Sequence, residues 1–326
     1  MKIENNFYNI FAQLKHAKRP FVLYRLPNTN TLIYIQQKDS SNYTTESLKE
    51  EGFVFAPFNR TNQFIYIPKH HVSKVDIPKP KARPKILNIT DTTAQKLYYT
   101  NLVANAIKAI SNGVIQKVVV SRLRKQKLKQ NIAESFVRLL NAYPNAMVYY
   151  WSHPKTGTWI GATPETLLNL EAGKCKTMAL AGTIAHEDNK LPKWSSKEID
   201  EQQMVTVFIK QQLEVLYPNN EIKPSAAYTR RAGNLLHLCA DFEFDINQVG
   251  LLDLVKSLHP TPAVSGKPDL ESRALIRKLE PFDRGWYSGP VGWISGNRAE
   301  FAVGIRSGLL SKRTLRIFTG AGIVKG

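Results

Sequence analysis

The sequence predicts an α+β protein built from large antiparallel sheets with helices outside them, and three observations predict it. Strand-like apolar segments follow one another in quick succession from residue 117 onward. The last three segments are joined by the short turns SGNR and SKR, which only antiparallel neighbours can use. Two longer segments, beginning near Thr92 and Ser195, have the apolar period of amphipathic helices. Sheets made of hairpins with helices outside them define this class.

Residues 1–75 are expected to form hairpins. The segment FVLYRL is followed by the turn PNTN and by TLIYIQ, and FVFAPF and FIYIP come later. The next segment, DIPKPKARPKI at residues 76–86, has three prolines and four lysines or arginines. We expect this segment to be an extended, exposed connector and not a binding motif.

The first long helix is predicted to begin after Thr92 and to end at Gly113, which suits a C-terminal cap. We expect it to pack on a sheet through an apolar stripe formed by Leu97, Val103, Ile107 and Ile110. The strand candidates after this helix are KVVVSR (117–122), AMVYYWS (146–152), TWIGAT (158–163), KTMALAGTI (176–184), YSGPVGWI (287–294), EFAVGIRSGLL (300–310) and TLRIFTGAGIV (314–324).

The second helix begins with SSKEIDEQ at residues 195–202 and is expected to run to about Tyr217. Ser195 followed three residues later by Glu198 predicts a capping box. A cap does not explain Glu201, which shares a helical face with Glu198, so a cation bound by both carboxylates is the alternative. The buried stripe of this helix is predicted to be Val205, Phe208, Ile209 and Leu216.

Composition limits the class of protein. The chain has 326 residues, 43% of them hydrophobic, which is enough for a large core. It has no apolar run near the length of a membrane span and no signal-peptide pattern, so we expect a soluble, cytoplasmic protein. Cys175 and Cys239 are too few for a disulfide framework and lack zinc-ligand spacing, which predicts small core residues.

The formal net charge of +19 raises the alternative of a nucleic-acid or anionic-membrane partner. Apart from KPKARPK (79–85) and RLRKQKLK (122–129), however, the basic residues are scattered, and no nucleic-acid-binding signature accompanies them. We therefore expect a protein that binds neither nucleic acid nor membrane, with a basic surface that attracts anionic metabolites. We also expect a monomer.

From residue 117 onward the chain contains nine motifs in a fixed order: KVVVSR, GATPETLL, LAGT, SKEIDEQ, NLLHL, LHPTPAVSGKP, PFDRGWYSGPVGWI, FAVGIRSG and FTGAGIV. Together they resemble the chorismate-utilising enzymes, the family of isochorismate, salicylate, anthranilate and aminodeoxychorismate synthases. The resemblance covers roughly residues 92–326 and implies face-to-face sheets and a magnesium-dependent reaction on chorismate. We expect one chorismate-binding domain over 1–326, with a variable portion at 1–85 and the catalytic core at 92–326.

The resemblance also implies roles for two ionisable residues. Lys117 opens KVVVSR and resembles the general base that activates water, although a lysine at a strand end is otherwise ordinary. Glu165, in GATPETLL, resembles the general acid that protonates the departing 4-hydroxyl while water adds at carbon 2. The two side chains are expected to face each other across the ligand.

Other residues of the motifs resemble the family's substrate-binding groups. Gly182 and Thr183, in LAGT, are expected near the ring, and Ala181 cannot supply the nucleophilic lysine of aminodeoxychorismate synthases. A resemblance to the family places four further residues at the substrate: His237, Tyr287, Arg306 and the backbone of Gly320. The alternatives are a core position for His237 and hairpin packing for Tyr287, while Arg306 needs an anion that a protein carboxylate could also supply.

Ala263 separates two close activities. It lies in HPTPAVSG, where salicylate synthases usually carry threonine, and the motif resembles that of isochorismate synthase. The expected reaction is chorismate to isochorismate, for menaquinone or a catechol siderophore. The alternatives are salicylate synthase and a chorismate-binding protein with impaired catalysis.

The expected cofactor is Mg²⁺, with Glu201 as its ligand and Glu198 close by, because SKEIDEQ resembles the family's metal-binding helix. Gln202 stands where the family usually has histidine. The family's sequence normally continues past GAGIV into an acidic stretch that completes the metal site, whereas the sequence here ends at Gly326. We expect weaker magnesium binding on that account.

Overall fold

The computed structural model describes residues 7–60, 63–80, 90–128, 131–188, 190–246 and 249–325. The helices are α1 (Phe7–His16), α2 (Thr93–Ser111), α3 (Ile132–Ala142), α4 (Ser196–Leu216), α5 (Leu251–Leu258) and α6 (Asp269–Leu279). The strands are β1 (Phe21–Arg25), β2 (Thr31–Gln36), β3 (Thr44–Thr45), β4 (Gly52–Phe55), β5 (Phe64–Pro68), β6 (His71–Asp76), β7 (Lys117–Lys127), β8 (Met147–His153), β9 (Gly157–Thr163), β10 (Thr166–Glu171), β11 (Lys174–Ala185), β12 (Tyr228–Ala232), β13 (Leu235–Asp245), β14 (Gly266–Lys267), β15 (Pro290–Ser295), β16 (Arg298–Val303), β17 (Ser307–Ser311) and β18 (Thr314–Val324).

The described residues form two nine-stranded antiparallel sheets, which confirms the predicted α+β class. The chain divides into two compact units. The first unit comprises Met1–Pro84, Arg124–Ala172 and Trp286–Phe318, and the second comprises Lys85–Leu123, Gly173–Gly285 and Thr319–Gly326. The prediction of a single domain with a variable portion at 1–85 stays a prediction. Among the helices that the structure describes, none has the length and apolar character needed to cross a membrane.

In the first unit, strands of the two sheets pack face to face. One sheet contributes the order β17-β9-β8-β1-β2-β6, and the other contributes β10-β16-β15-β4-β5-β3. Aromatic side chains fill the space between them: the ring of Phe55 on β4 lies 5.6 Å from that of Trp151 on β8 and 5.8 Å from that of Trp159 on β9. Edge-to-face contacts of this kind add to the hydrophobic stabilisation of a core.

The outer face of the first sheet in this unit is covered by α1 and α3. Their apolar residues form one buried cluster with β1 and β8 that includes Phe7, Phe11, Phe21, Phe136 and Tyr150. The prediction for residues 1–75 contained only hairpins, so α1 is an addition to it. Its signal is present in the sequence, since Phe7, Phe11 and Leu14 follow the helical spacing i, i+4, i+7.

Arg25, at the end of β1, ties this strand to the end of α3. Its guanidinium donates to the carbonyl oxygens of Leu140 at 3.0 Å and Ala146 at 2.9 Å, and also to that of Tyr143. The side chain is almost fully buried. These carbonyls belong to the last turn of α3 and the segment after it, where helix hydrogen bonding ends and other donors are required.

The segment EFAVGIRSGLL is divided between the two sheets, which corrects the prediction of one strand at 300–310. Its first part is β16, paired with β15, and its second part is β17, paired with β9. The chain passes between the sheets at Gly304, whose N–H donates to the carbonyl of Gly289 at 2.8 Å. Arg306, just after the crossing, has a φ of 49°. The turns on either side of this segment are as predicted, since β15 pairs with β16 and β17 with β18.

In the second unit, β11 is flanked by β13, and β13 by β12, while β14 pairs with β7. Helix α4 lies against β11, and its buried residues are Gln202, Val205, Ile209 and Leu213. Val205 and Ile209 are as predicted, whereas Phe208 and Leu216 are only half-buried. The buried residues are spaced i, i+3, i+7 and i+11, which places Leu213 on the inner face in place of Leu216.

Helix α2 buries Ile110 as predicted, but Val103 is only half-buried and the rest of the buried stripe differs from the predicted one. Its buried residues are Leu102, Ala106 and Ile110, whereas Leu97 is 62% and Ile107 49% exposed. The i, i+4, i+8 row is the one that faces the protein, which leaves those two residues on the other side. The predicted connector at 76–86 lies, from residue 81 onward, outside the described residues.

Candidate active site

Lys117, the predicted base, begins β7 in the second unit and is held there by its backbone. It pairs with Lys267 of β14, and its carbonyl oxygen accepts a hydrogen bond of 3.0 Å from the Ser272 hydroxyl of α6. The neighbouring Gly266 has to be glycine, because a Cβ there would lie 2.2 Å from that carbonyl oxygen. Lys117 is therefore placed by close packing and not by an exposed strand end.

The side chain of Lys117 is fully buried and forms an ion pair with Glu201, the predicted metal ligand. Its Nζ lies 2.9 Å from Glu201 Oε1, and the two side chains are 0% and 13% exposed. Gly322 of β18 closes one side of this pair, since a Cβ at Gly322 would lie 2.4 Å from Glu201 Oε1 and 3.6 Å from Lys117 Cε. The structure thus brings together two predicted site residues that lie far apart in the sequence.

Glu198 caps helix α4, as the sequence predicts. Its carboxylate accepts hydrogen bonds from the Ser195 hydroxyl and from the Ser195 backbone N–H, the latter at 3.2 Å. The bond from the hydroxyl is the main reason that the pKa of Glu198 lies below its usual value. Lys197 is also near, with its Nζ 3.7 Å from Glu198 Oε1.

The predicted metal site consists of the carboxylates of Glu201 and Glu198. Within the ranges that the structure describes, no group of three or more His, Cys, Asp or Glu side chains is arranged to hold a metal ion. Carboxylate oxygens are hard donors that suit Mg²⁺, which commonly keeps several waters. The donor chemistry of Glu201 and Glu198 therefore fits a Mg²⁺ that completes its shell with water and substrate oxygens, and their metal role stays a prediction.

Gly182, Thr183 and His237 form a second cluster in the same unit. The pairing of β11 with β13 shifts register between Ala181 and Thr183, and Gly182 has a φ of 70°. A Cβ at Gly182 would lie 3.1 Å from the carbonyl oxygen of Glu198, so this bulge lets the first turn of α4 approach β11 closely.

His237 is oriented by this bulge. Its Nδ1 lies 3.1 Å from the carbonyl oxygen of Gly182 and 3.0 Å from the hydroxyl oxygen of Thr183. A carbonyl oxygen only accepts, so this contact assigns the proton of the neutral ring to Nδ1 and leaves Nε2 as the acceptor. The His237 side chain is largely buried, with 9% of the residue surface exposed.

Glu165 and Arg306 belong to the first unit. Glu165 lies between β9 and β10, is 5% exposed, and its carbonyl oxygen accepts from the N–H of Val303 at 3.0 Å. Arg306 is half-buried, and burial lowers the pKa of its guanidinium, while the charge of Glu165 acts in the opposite direction. A half-buried guanidinium is suited to bind an anion.

The remaining predicted residues lie in loops and on strands. Tyr287, in the turn before β15, stacks its buried ring on Phe318 at 4.8 Å. Ala263 is half-buried in a turn where the N–H of Val264 donates to the carbonyl of Thr261 at 3.0 Å. Gly320 is exposed on β18. The substrate-binding roles of these residues stay predictions.

One buried network was not predicted. Arg284 donates to both carboxylate oxygens of Glu280, at 2.6 Å and 3.0 Å, and to the carbonyls of Val264 at 2.7 Å and Val119 at 2.6 Å. Glu280 in turn accepts from the N–H and hydroxyl of Ser121. The network fixes the strand of Lys117 to the turn of Ala263. Its signal in the sequence is the i, i+4 pair of opposite charges in EPFDR.

Comparison with known proteins identifies relatives. A family model described as chorismate binding enzyme matches residues 35–326. The salicylate biosynthesis isochorismate synthase of Pseudomonas aeruginosa is 33% identical over 232 residues, which are 68% of this chain and 48% of that protein. Isochorismate synthase EntC of Escherichia coli is 31% identical over 288 residues, 82% of this chain and 73% of that one. The chain spans about half the length of several curated relatives, with shares of 48%, 59% and 38%.

A solved structure has the same fold. The 2,3-dihydroxybenzoate-specific isochorismate synthase DhbC of Bacillus anthracis matches with a TM-score of 0.77 at 22% identity, covering 97% of this chain and 93% of that one. The likeness extends over nearly all of both chains and confirms the predicted fold class.

Proposed function

The chain belongs to the chorismate-binding enzyme family, and from this membership we propose that it is an isochorismate synthase, an isomerase that converts chorismate to isochorismate. The relatives at 33% and 31% identity carry that activity in their names. The observation that carries the proposal is the fully buried Lys117, whose Nζ lies 2.9 Å from Glu201. A buried ammonium is costly unless it is paired, and such groups concentrate at functional sites.

In the proposed reaction, one water molecule supplies the new hydroxyl at carbon 2, and the hydroxyl at carbon 4 departs as a second water molecule. At this step Lys117 has to be in its neutral amine form, with its ion pair to Glu201 open, and its Nζ then accepts a proton from the water whose oxygen bonds to carbon 2 of the ring. The ring double bonds shift, the bond between carbon 4 and its oxygen breaks, and Glu165 gives that hydroxyl a proton, so it departs as water. One water enters and one leaves, which makes the reaction an isomerisation.

Mg²⁺ is the proposed cofactor, with Glu201 as a ligand and Glu198 acting directly or through water. When bound, the ion neutralises a substrate carboxylate and polarises the leaving group. Glu198 would do so while it still caps α4, because its hydrogen bonds to Ser195 occupy one of its two carboxylate oxygens.

The proposal includes the substrate-binding residues that the motifs indicate. Arg306, helped by Tyr287 and the backbone of Gly320, is suited to the pyruvyl-ether carboxylate. Gly182, Thr183, His237 and Ala263 are proposed to line the ring. Ala181 is buried and carries no nucleophile, so the covalent route of aminodeoxychorismate synthases is not proposed.

Product analysis tests the proposal. Chorismate and Mg²⁺ should give isochorismate with oxygen from solvent water and no stoichiometric pyruvate, measured by chromatography with ¹⁸O-labelled water and a coupled pyruvate assay. Salicylate and pyruvate as the initial products would instead establish salicylate synthase. Chorismate binding without turnover would leave a binding protein, and salt-sensitive retention on DNA would favour the nucleic-acid alternative.

Two variants test the roles. Lys117→Ala and Glu165→Gln should each lower turnover by roughly 10²–10⁴-fold, the range for a positioned acid or base. Lys125→Ala, an exposed lysine on the same strand, is the matched control and should leave turnover unchanged. A folded Lys117 or Glu165 variant with normal turnover removes that residue from the mechanism.

The product is proposed to enter menaquinone or catechol siderophore biosynthesis. A cytoplasmic, monomeric enzyme is part of the same proposal, and size-exclusion chromatography with light scattering tests the monomer.

A further inference from the structure

Lys117 and a divalent cation need the same carboxylate. Lys117 Nζ lies 2.9 Å from Glu201 Oε1, in a place where the two side chains are 0% and 13% exposed. Water screens such a pair poorly, so charges placed a few ångströms apart interact far more strongly than they do at the surface.

The carboxylate of Glu201 has little room to avoid this competition. Gly322 packs against Oε1 so closely that a Cβ would lie 2.4 Å from it. A metal ligated by Oε1 would displace the ammonium of Lys117. A metal ligated by Oε2, the other oxygen of the same carboxylate, would still lie close to that ammonium. In both cases a divalent and a monovalent cation would repel each other in a poorly screened space.

We propose that Lys117 acts as an internal counter-cation of Glu201, so that binding of a divalent metal ion is opposed by the lysine and requires the ion pair to open. The proposal rests on the proposed function, because it takes Glu201 as the metal ligand. It adds that the proposed base and the metal are coupled: the cation releases the lysine from the carboxylate. The lysine charge thus sets how tightly the substrate-free enzyme holds metal.

Metal binding without substrate tests this coupling. Mn²⁺ affinity is measured by electron paramagnetic resonance on the whole chain for the unmodified protein, Lys117→Met and Lys117→Gln. Both variants remove the charge, and glutamine keeps a hydrogen-bond donor for Glu201. We expect each to bind Mn²⁺ about tenfold or more tightly than the unmodified protein.

Lys197→Met is the matched control, because Lys197 Nζ lies 3.7 Å from Glu198 Oε1 but its side chain is 49% exposed. Removal of this screened charge should change the affinity by less than about twofold. Glu201→Gln should abolish the tight binding, and Lys117→Met should give no gain in that background, because the effect acts through Glu201.

The outcomes separate the two levels of the proposal. Unchanged or weaker Mn²⁺ binding in both lysine variants, with binding lost in Glu201→Gln, overturns the competition and leaves the metal assignment intact. Unchanged binding in Glu201→Gln, or no binding by any variant, overturns the metal assignment together with the competition. If neither lysine variant folds, the ¹⁵Nζ resonance of Lys117 in the unmodified protein decides, because saturating Mg²⁺ should shift it and a stationary signal contradicts the proposal.

Discussion

Removal of Arg284 should destabilise the protein more than removal of Arg273, whose ion pair is less deeply buried. The side chains of Arg284 and Glu280 are only 2% and 1% exposed. Arg284→Met leaves the Glu280 carboxylate buried without its counter-charge and takes the donor from the carbonyls of Val264 and Val119. Breaking a buried pair on one side costs about 3–5 kcal/mol, so we expect the free energy of unfolding to fall by that amount.

The same unit contains a matched control. Arg273 donates to Asp269 through two hydrogen bonds of 3.0 Å and 2.9 Å, also at i, i+4, but these side chains are 11% and 19% exposed. Arg273→Met should cost less than Arg284→Met, because the Asp269 carboxylate that remains is 19% exposed and is reached by water, whereas Glu280 is 1% exposed. The difference between the two arginine variants therefore reports the burial of the Arg284 pair together with its two bonds to backbone carbonyls, at equal charge and sequence spacing.

Urea denaturation followed by circular dichroism measures both costs. The double variant Arg284→Met, Glu280→Gln should lose less than the sum of the single variants, with a coupling of about 1–3 kcal/mol, since neither charge is then left alone. If Arg284→Met costs no more than Arg273→Met, the buried pair does not hold β7 and the turn of Ala263 in place, and the reasoning above is refuted.

Three further predictions concern other parts of the molecule. Burial raises the pKa of Glu300 from its usual value of 4.5 to about 7. Between these two pH values the folded protein binds more protons than the unfolded chain, so the free energy of unfolding should fall by up to about 3 kcal/mol as the pH rises through this window. Glu300→Gln should flatten this pH profile, which is measured by denaturation at each pH. Gly322→Ala places a methyl group 2.4 Å from Glu201 Oε1 and so forces this oxygen away from the buried ammonium of Lys117. Thermal unfolding should reveal a loss of about 1–3 kcal/mol, and an unchanged melting temperature would mean that Glu201 moves without loss of the ion pair. Ser195→Ala should lower stability by about 0.5–2 kcal/mol as a lost cap while Mn²⁺ affinity stays within twofold, and a large loss of affinity would mean that Ser195 positions Glu198 for the metal.

Local sequence was sufficient for most strands, because turn residues mark their ends. PNTN separates β1 from β2, and SGNR separates β15 from β16, as predicted. The crossing between β16 and β17 could not be predicted in this way, since the apolar pattern of EFAVGIRSGLL continues through it. What divides the segment is the contact of Gly304 with Gly289 and the left-handed backbone of Arg306, both set by tertiary structure.

For the site, spacing gave the shared face of Glu198 and Glu201, and the capping box at Ser195 was predicted from its motif. The partner of Glu201 was beyond such reasoning, because Lys117 reaches it from a distant strand through packing that no local pattern encodes. The buried stripe of α2 could not be predicted for a similar reason. Leu97 and Ile107 fit a helical apolar pattern as well as the buried residues do, and only the neighbouring elements decide which side of the helix is covered.

The hydrogen bonds of Arg25 have a consequence for protein engineering. Strand β1 and helix α1 precede the part of the chain that matches the family model, and a trimming or chimera experiment would naturally remove them. Such a cut would take Phe7, Phe11 and Phe21 from a shared apolar cluster and leave the end of α3 without its buried donor. In hydrogen-exchange terms, β1 and the last turn of α3 should therefore open together as one cooperative unit. A trimming or chimera experiment that keeps α3 intact should therefore place its N-terminal boundary before α1.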